Sequence, residues 1–185
     1  MRCAFTFRRV LPAGLILILM TTTAAVLATP PSPAEDRQAV ADVVAHVALD
    51  ADAREWAALR SRFADRVEVD YSSLTGQPAA TVDADALMAG WSALLPGFDA
   101  TQHLLGPVVV EVDGDRATAH THVRATHRIA GAAGGELWVV GGRYTYGLVR
   151  TPSGWRVAST RLELAYQEGN TGLAAMAQAR AGAAR

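Results

Sequence analysis

The sequence predicts an α+β fold: a curved, mostly antiparallel sheet forming a cone-shaped barrel, packed with three N-terminal helices. Three observations predict it. Apolar residues recur at spacings of three and four in the first half, the mark of helices that bury one side. From residue 101 onward apolar and polar residues alternate instead, the mark of half-buried strands. Short glycine-containing turns join these alternating segments, as antiparallel pairing allows. Helices before strands is an α+β order. A curved sheet covered on one face would enclose a pocket fed by helix ends and by the sheet's inner face.

The elements follow in order. Residues 1–28 read as a secretory signal peptide. Arg2, Arg8 and Arg9 precede an apolar run over 11–20, and Val26-Leu27-Ala28 offers a cut after Ala28. An uncleaved membrane anchor is the alternative, but the run is short for a span. Residues 29–35 are a Pro-rich linker, with Ser32-Pro33-Ala34-Glu35 as a capping box. The first helix carries Val40, Val43, Val44 and Val47 on one face, and Asp50 extends that face. A second helix over 53–63 aligns Trp56, Leu59 and Phe63. Residues 67–71 alternate as a strand ending in Tyr71. Asp83 caps a third helix bearing Leu87, Trp91, Leu94 and Leu95, stopped by Pro96-Gly97.

Strands follow over 101–112 (bulged at Gly106-Pro107), 116–129, 137–150 and 155–166. Asp113-Gly114 signals a tight hairpin. The domain is expected to span 36–170. Residues 171–185 are Ala-rich with little periodicity, so a frayed helix or disorder is expected there.

Composition narrows the chemistry. The one cysteine, Cys3, lies in the leader, so thiol nucleophiles and thiolate metal sites are excluded from the mature chain. All 17 basic residues are Arg, which excludes a lysine Schiff base. Removing the leader's three arginines leaves 14 basic against 18 acidic residues, a balance of −4 that speaks against nucleic acid as a partner. A membrane would be met only through an uncleaved leader.

Two ionisable residues point toward a core. Asp50 lies on the apolar stripe of its helix, and His103 starts a strand within Phe98-Asp99-Ala100-Thr101-Gln102-His103. A buried carboxylate and imidazole are costly unless they pair, and paired in a pocket they make a general acid/base. His46, four residues before Asp50, is the competing local partner. In the strand over 116–129, period-two geometry puts His127 on the apolar face and His120 and His122 on the polar one. His127 is either a backbone-satisfied core residue or a second functional imidazole. The spacing of Gly114, His120, His122, His127 and Gly134 is also similar to the first metal motif of cupins. However, His127 stands where a Glu belongs, and no second motif follows.

The order of several short words resembles the nuclear-transport-factor-2-like superfamily, and within it the SnoaL-like group that includes scytalone dehydratase. The words are Leu49-Asp50 before Arg54-Glu55-Trp56-Ala57-Ala58-Leu59, then Val67-Glu68-Val69-Asp70-Tyr71-Ser72-Ser73-Leu74. Thr101-Gln102-His103, Val123-Arg124-Ala125-Thr126-His127 and Gly154-Trp155-Arg156-Val157 complete the set. The resemblance implies a homodimer and catalysis with no cofactor and no metal. It implies that Asp50 orients His103 as the proton shuttle of a syn elimination of water, that His127 matches a second histidine, and that Tyr71 helps polarise a carbonyl. Leu49 falls where the family has a second tyrosine, Thr145 near a serine and Gly147 near an asparagine. The expected function is an exported lyase or isomerase acting on a small apolar carbonyl or hydroxy compound. The alternative is a non-catalytic module that binds a hydrophobic ligand in the same pocket, favoured by Leu49 and Gly147.

Overall fold

The structure is a computed structural model that describes residues 31–183. The expected signal peptide and the first two residues of the linker lie outside the described residues. Helix α1 (Pro33–Ala53) starts on the expected capping box. Ser32 Oγ accepts the Glu35 backbone N–H at 3.3 Å, and Glu35 Oε2 accepts the Ser32 N–H at 2.7 Å. Its buried side is Val40, Val44, Val47, Ala48 and Ala51. Helix α2 (Trp56–Ser61) is shorter than expected, because Phe63 already opens strand β1 (Phe63–Asp70). Next come a single turn α3 (Ser72–Thr75), strand β2 (Ala80–Asp83) and helix α4 (Ala84–Leu94) with its 3-10 extension Leu95–Gly97.

The sheet has seven strands. The expected strand over 101–112 is two, β3 (Ala100–Leu105) and β4 (Val109–Asp113), parted by Gly106-Pro107, where proline lacks the N–H that a ladder needs. Both pair antiparallel with β5 (Arg116–Arg128), which pairs in turn with β6 (Leu137–Thr151), and that with β7 (Gly154–Gly169). Strand β1 joins β7 in parallel and carries β2 on its other side. The order is β2-β1-β7-β6-β5-β3, so the sheet is curved but not closed.

Burial along β5 alternates without a break, and its inner set is Ala117, Ala119, Thr121, Val123, Ala125 and His127. Strand β7 carries one extra residue against β6 at Ala158 and another at Ala165. Each bulge resets the alternation, so Trp155 and Val157 face inward, then Thr160 and Leu162.

The Ala-rich tail, whose last two residues lie outside the described residues, forms the helix α5 (Leu173–Ala183). Leu173 and Ala177 are fully buried. Its backbone sits so close to Gly97 that a Cβ there would fall 1.9 Å from the Ala177 carbonyl oxygen. Small residues supply this close approach, which leaves no periodic apolar stripe in the sequence. Among the described residues no helix is long and apolar enough to cross a membrane.

Candidate active site

The last turn of α1 runs over the start of β3, and there Asp52 meets His103. Asp52 Oδ1 lies 2.7 Å from His103 Nδ1 and accepts the Thr101 hydroxyl at 2.8 Å. Oδ2 accepts the His103 backbone N–H at 2.6 Å. Arg54 fixes the approach of the two elements. It ends α1 in the left-handed region at φ 60°, and its guanidinium donates to the Phe98 carbonyl at 2.7 Å. A non-glycine residue held there costs on the order of 1 kcal/mol and persists because its surroundings determine it.

Burial works to raise the Asp52 carboxyl, but the hydrogen bond and charge of His103, with the backbone and Thr101 donors, hold it below the usual carboxylate value. Asp52 is therefore an anion at neutral pH and can only accept. His103 Nδ1 must carry the proton of that bond, so in the neutral ring Nε2 is the nitrogen with the lone pair.

Asp50, the sequence-expected partner of His103, does not reach it. Two residues along a helix is a rotation of roughly 200°. The Asp50 carboxylate turns instead to Arg62 Nε at 3.0 Å and lies 3.5 Å from His46 Nδ1. It ties α1 to the entrance of β1. The physical reason lies in the helix phase: the buried stripe drifts from Val40 through Val44, Val47 and Ala48 to Ala51, which turns Asp52 toward Thr101 and His103 on β3. The spacing of Asp52, four residues beyond the buried Ala48, is the signal that could have found it.

His127 sits where the strand parity puts it, 7% exposed. Its ring stacks on Trp138 at 4.7 Å between centroids and stands nearly perpendicular to His103 at 5.7 Å. Its Nδ1 lies 3.4 Å from the Trp138 carbonyl oxygen, which can only accept. Burial first, and then the neighbouring His103, push its pKa down to about 4, against smaller opposing effects of the Trp138 carbonyl and Asp52. His127 is neutral at physiological pH, with Nε2 as its free acceptor.

His103 and His127 open onto a cavity of about 530 Å³, a size suited to one small organic molecule. Trp91, Phe98 and Trp138 form aromatic walls, and Tyr71, Tyr144 and Tyr146 bring phenols. Tyr71 is thus placed in the cavity, just beyond the end of β1. The other two expected substrate-binding positions are not. Leu49 is 61% exposed on α1 and does not line the cavity. Thr145 faces the opposite side of the sheet, where its hydroxyl pairs with His120 Nδ1 at 3.0 Å. Tyr144 and Tyr146 take the inner positions around it. The alternation Trp138, Val140, Tyr144, Tyr146 along β6 was the available signal.

The cupin-like spacing has no geometric counterpart. His120 and His122 lie on the outer face of β5 and His127 on the inner, and among the described residues no three His, Cys, Asp or Glu side chains gather as metal ligands.

A curved sheet packed with helices, with an aspartate–histidine pair beside an aromatic hollow, defines a class of small-molecule-binding folds. The chain belongs to the SnoaL-like domain family of the nuclear-transport-factor-2-like superfamily, whose pattern matches residues 32–161. The crystal structure of the Kfla4162 protein from Kribbella flavida is 36% identical over 78% of this chain and 99% of that one, with a TM-score of 0.74. A scytalone dehydratase-like protein from Novosphingobium aromaticivorans is 19% identical, covering 72% and 86%, at 0.62. A type 2 hexachlorocyclohexane dehydrochlorinase is also 19% identical, covering 74% and 89%, at 0.59. At these identities the last two show the fold alone. No curated protein matches this chain closely enough to lend it an activity.

Proposed function

We propose that this protein is a lyase that eliminates water from a small, largely apolar β-hydroxy carbonyl compound. The observation that carries the reading is the Asp52–His103 pair, whose histidine lines the cavity. His103 Nε2 takes a proton from the carbon beside the carbonyl. The electron pair released forms a C=C bond as the β-hydroxyl leaves. The His103 imidazolium returns the proton to that departing oxygen, and water is released. Proton transfer by a positioned group such as His103 is worth ~10²–10⁴ in rate, and Asp52 holds the ring orientation and stabilises the imidazolium. His127 accepts a hydrogen bond from the substrate hydroxyl through Nε2. The reaction draws on side chains alone. The names of the dehydratase-like and dehydrochlorinase neighbours describe eliminations, which is in keeping with this reading.

The same cavity could serve a carrier, and Leu49 and Gly147 were the sequence features in favour of one. Leu49 lies outside the cavity, and Gly147 lies against Ser159 on the Thr145 side of β6, so neither change strips a polar group from the cavity. The proposal includes export, supported by the leader-like residues 1–28, and a homodimer, supported by the family resemblance. Cell fractionation with N-terminal sequencing tests the first, and light scattering the second.

The activity test follows the absorbance of the conjugated product from a panel of hydroxylated aromatic ketones. Turnover is expected in the unaltered protein and its loss in His103→Ala and Asp52→Asn. Tight binding of the panel with no turnover in any case contradicts the lyase reading and supports the carrier.

A further inference from the structure

The inner face of β6 and β7 carries a cluster of hydroxyls that the proton-transfer dyad does not use. Tyr144 and Tyr146 are two residues apart on β6 and so point the same way, with ring centroids 5.4 Å apart. Tyr71 arrives from the end of β1, 6.5 Å from Tyr144. All three line the cavity. Thr160 on β7 is the register partner of Tyr146 and is 2% exposed.

Burial pushes the Tyr71 phenol up to about 12 and the other two well above their ordinary value, so all three are protonated donors. Thr160 Oγ1 stands beside Tyr71 and Tyr146 and tempers both shifts, yet no pairing there reaches full hydrogen-bond geometry. It is a buried oxygen without a settled partner. For Tyr144 no hydrogen bond offsets its burial, and it feels both Tyr71 and the Asp52 charge.

Buried polar groups are nearly always paired, and three donors with one weakly engaged alcohol call for an acceptor supplied from outside. The acceptor's charge is also constrained. Among the described residues no Arg lines the cavity, the chain has no Lys, and Tyr144 feels the Asp52 carboxylate. A carboxylate or phosphate would be desolvated there beside a like charge. An uncharged carbonyl oxygen accepts hydrogen bonds without that cost.

We infer that Tyr144 and Tyr146, backed by Thr160, form a subsite for the neutral carbonyl oxygen of the ligand, with Tyr144 as the principal donor and the residue that selects carbonyls over acids. The inference deepens the lyase reading by naming what holds the carbonyl next to the carbon that His103 deprotonates, and it adds two phenols to the single tyrosine implied by the family resemblance. It rests on that reading for the proton transfer, but the binding itself requires no turnover.

The probe is 4-(dimethylamino)cinnamaldehyde, whose absorption moves to longer wavelength when its carbonyl oxygen accepts strong hydrogen bonds. A red shift is expected with the unaltered protein and also with His103→Ala. Tyr144→Phe should lose most of the shift and bind about tenfold more weakly, the value of one hydrogen bond of ~1.4 kcal/mol. Tyr146→Phe and Thr160→Val should each lose a smaller part, while Tyr166→Phe, altered on the outer face, should keep all of it. The matching acid, 4-(dimethylamino)cinnamate, should bind at least about tenfold more weakly than the aldehyde. An unshifted spectrum with the unaltered protein, a full shift in Tyr144→Phe, or equal binding of the acid overturns the inference. A shift that persists in a protein with no turnover leaves the subsite standing and removes only the lyase reading.

Discussion

On the inner face of β5, His127 is buried, stacked on Trp138 and held neutral beside His103. Seven residues earlier on the same strand, His120 faces outward and bonds Thr145. Around His120 the outer face is a lattice of surface ion pairs, such as Arg143 with Glu163 and Arg124 with Glu168. Such exposed pairs contribute little, roughly 0–1 kcal/mol each. The inner face holds fewer ionisable groups, but each is desolvated, so its protonation and orientation are fixed by neighbours. The contrast teaches that residue type alone does not mark the site. Strand parity does, because it decides whether an imidazole is solvated or faces an aromatic hollow.

The end of α1 repeats the contrast on a smaller scale. Asp50 and Asp52 are two residues apart, yet one joins α1 to Arg62 and the other aligns His103. The sharpest way to break the comparison is to exchange their fates. Asp52→Asn should lower turnover by ~10²–10⁴ with little change in fold, whereas Asp50→Asn should leave turnover within a few-fold. Equal losses in both, measured as kcat on any substrate found, would erase the distinction.

The next largest effect is on stability against pH. The folded His127 holds its proton only below about 4, while in the unfolded chain the ordinary value near 6.5 applies. Between these values the unfolded state binds the extra proton, so native stability falls as pH drops through 6.5 and the loss is complete below about 4. The full difference is about 3 kcal/mol. Asp52 adds a loss at lower pH still, since its stabilising contribution disappears as pH falls through its depressed folded value. Urea unfolding of His127→Phe should show a flatter profile from pH 6.5 to 4 than the unaltered protein; an unchanged slope would place the acid sensitivity elsewhere.

A smaller loss is expected at Gly97→Ala, where the added methyl meets the Ala177 backbone. Overpacking of this kind costs about 1–3 kcal/mol, read as a lower Tm. Smallest of all, His120→Ala and Thr145→Val on the outer face should stay within about 0.5 kcal/mol and leave turnover unchanged.

The same contrast explains what the sequence made legible. In β5 a continuous alternation exposed the inward turn of His127, and the His103 position was readable at the start of β3. The helix end was harder, because α1 is only weakly amphipathic and its alanines extend the buried stripe without announcing it. Asp50 therefore stands on the legible part of the stripe, and Asp52 does not. Thr145 and Leu49 entered from resemblance rather than from parity, and strand parity places Thr145 outside. The bulges of β7 at Ala158 and Ala165 break simple alternation, which hid Thr160. Helix α5 packs through Gly97 and Ala177, a contact made by the absence of side chains, and no apolar periodicity reports it.

The central claim is that Asp52 fixes the proton of His103 on Nδ1 and leaves the lone pair of the neutral ring on Nε2. Nitrogen-15 NMR of the histidine rings at neutral pH tests it directly. The account predicts a protonated Nδ1 and a bare Nε2 for neutral His103, a pattern lost in Asp52→Asn and kept in Asp50→Asn. A proton on Nε2 in the unaltered protein, or a pattern that follows Asp50 instead, would contradict it.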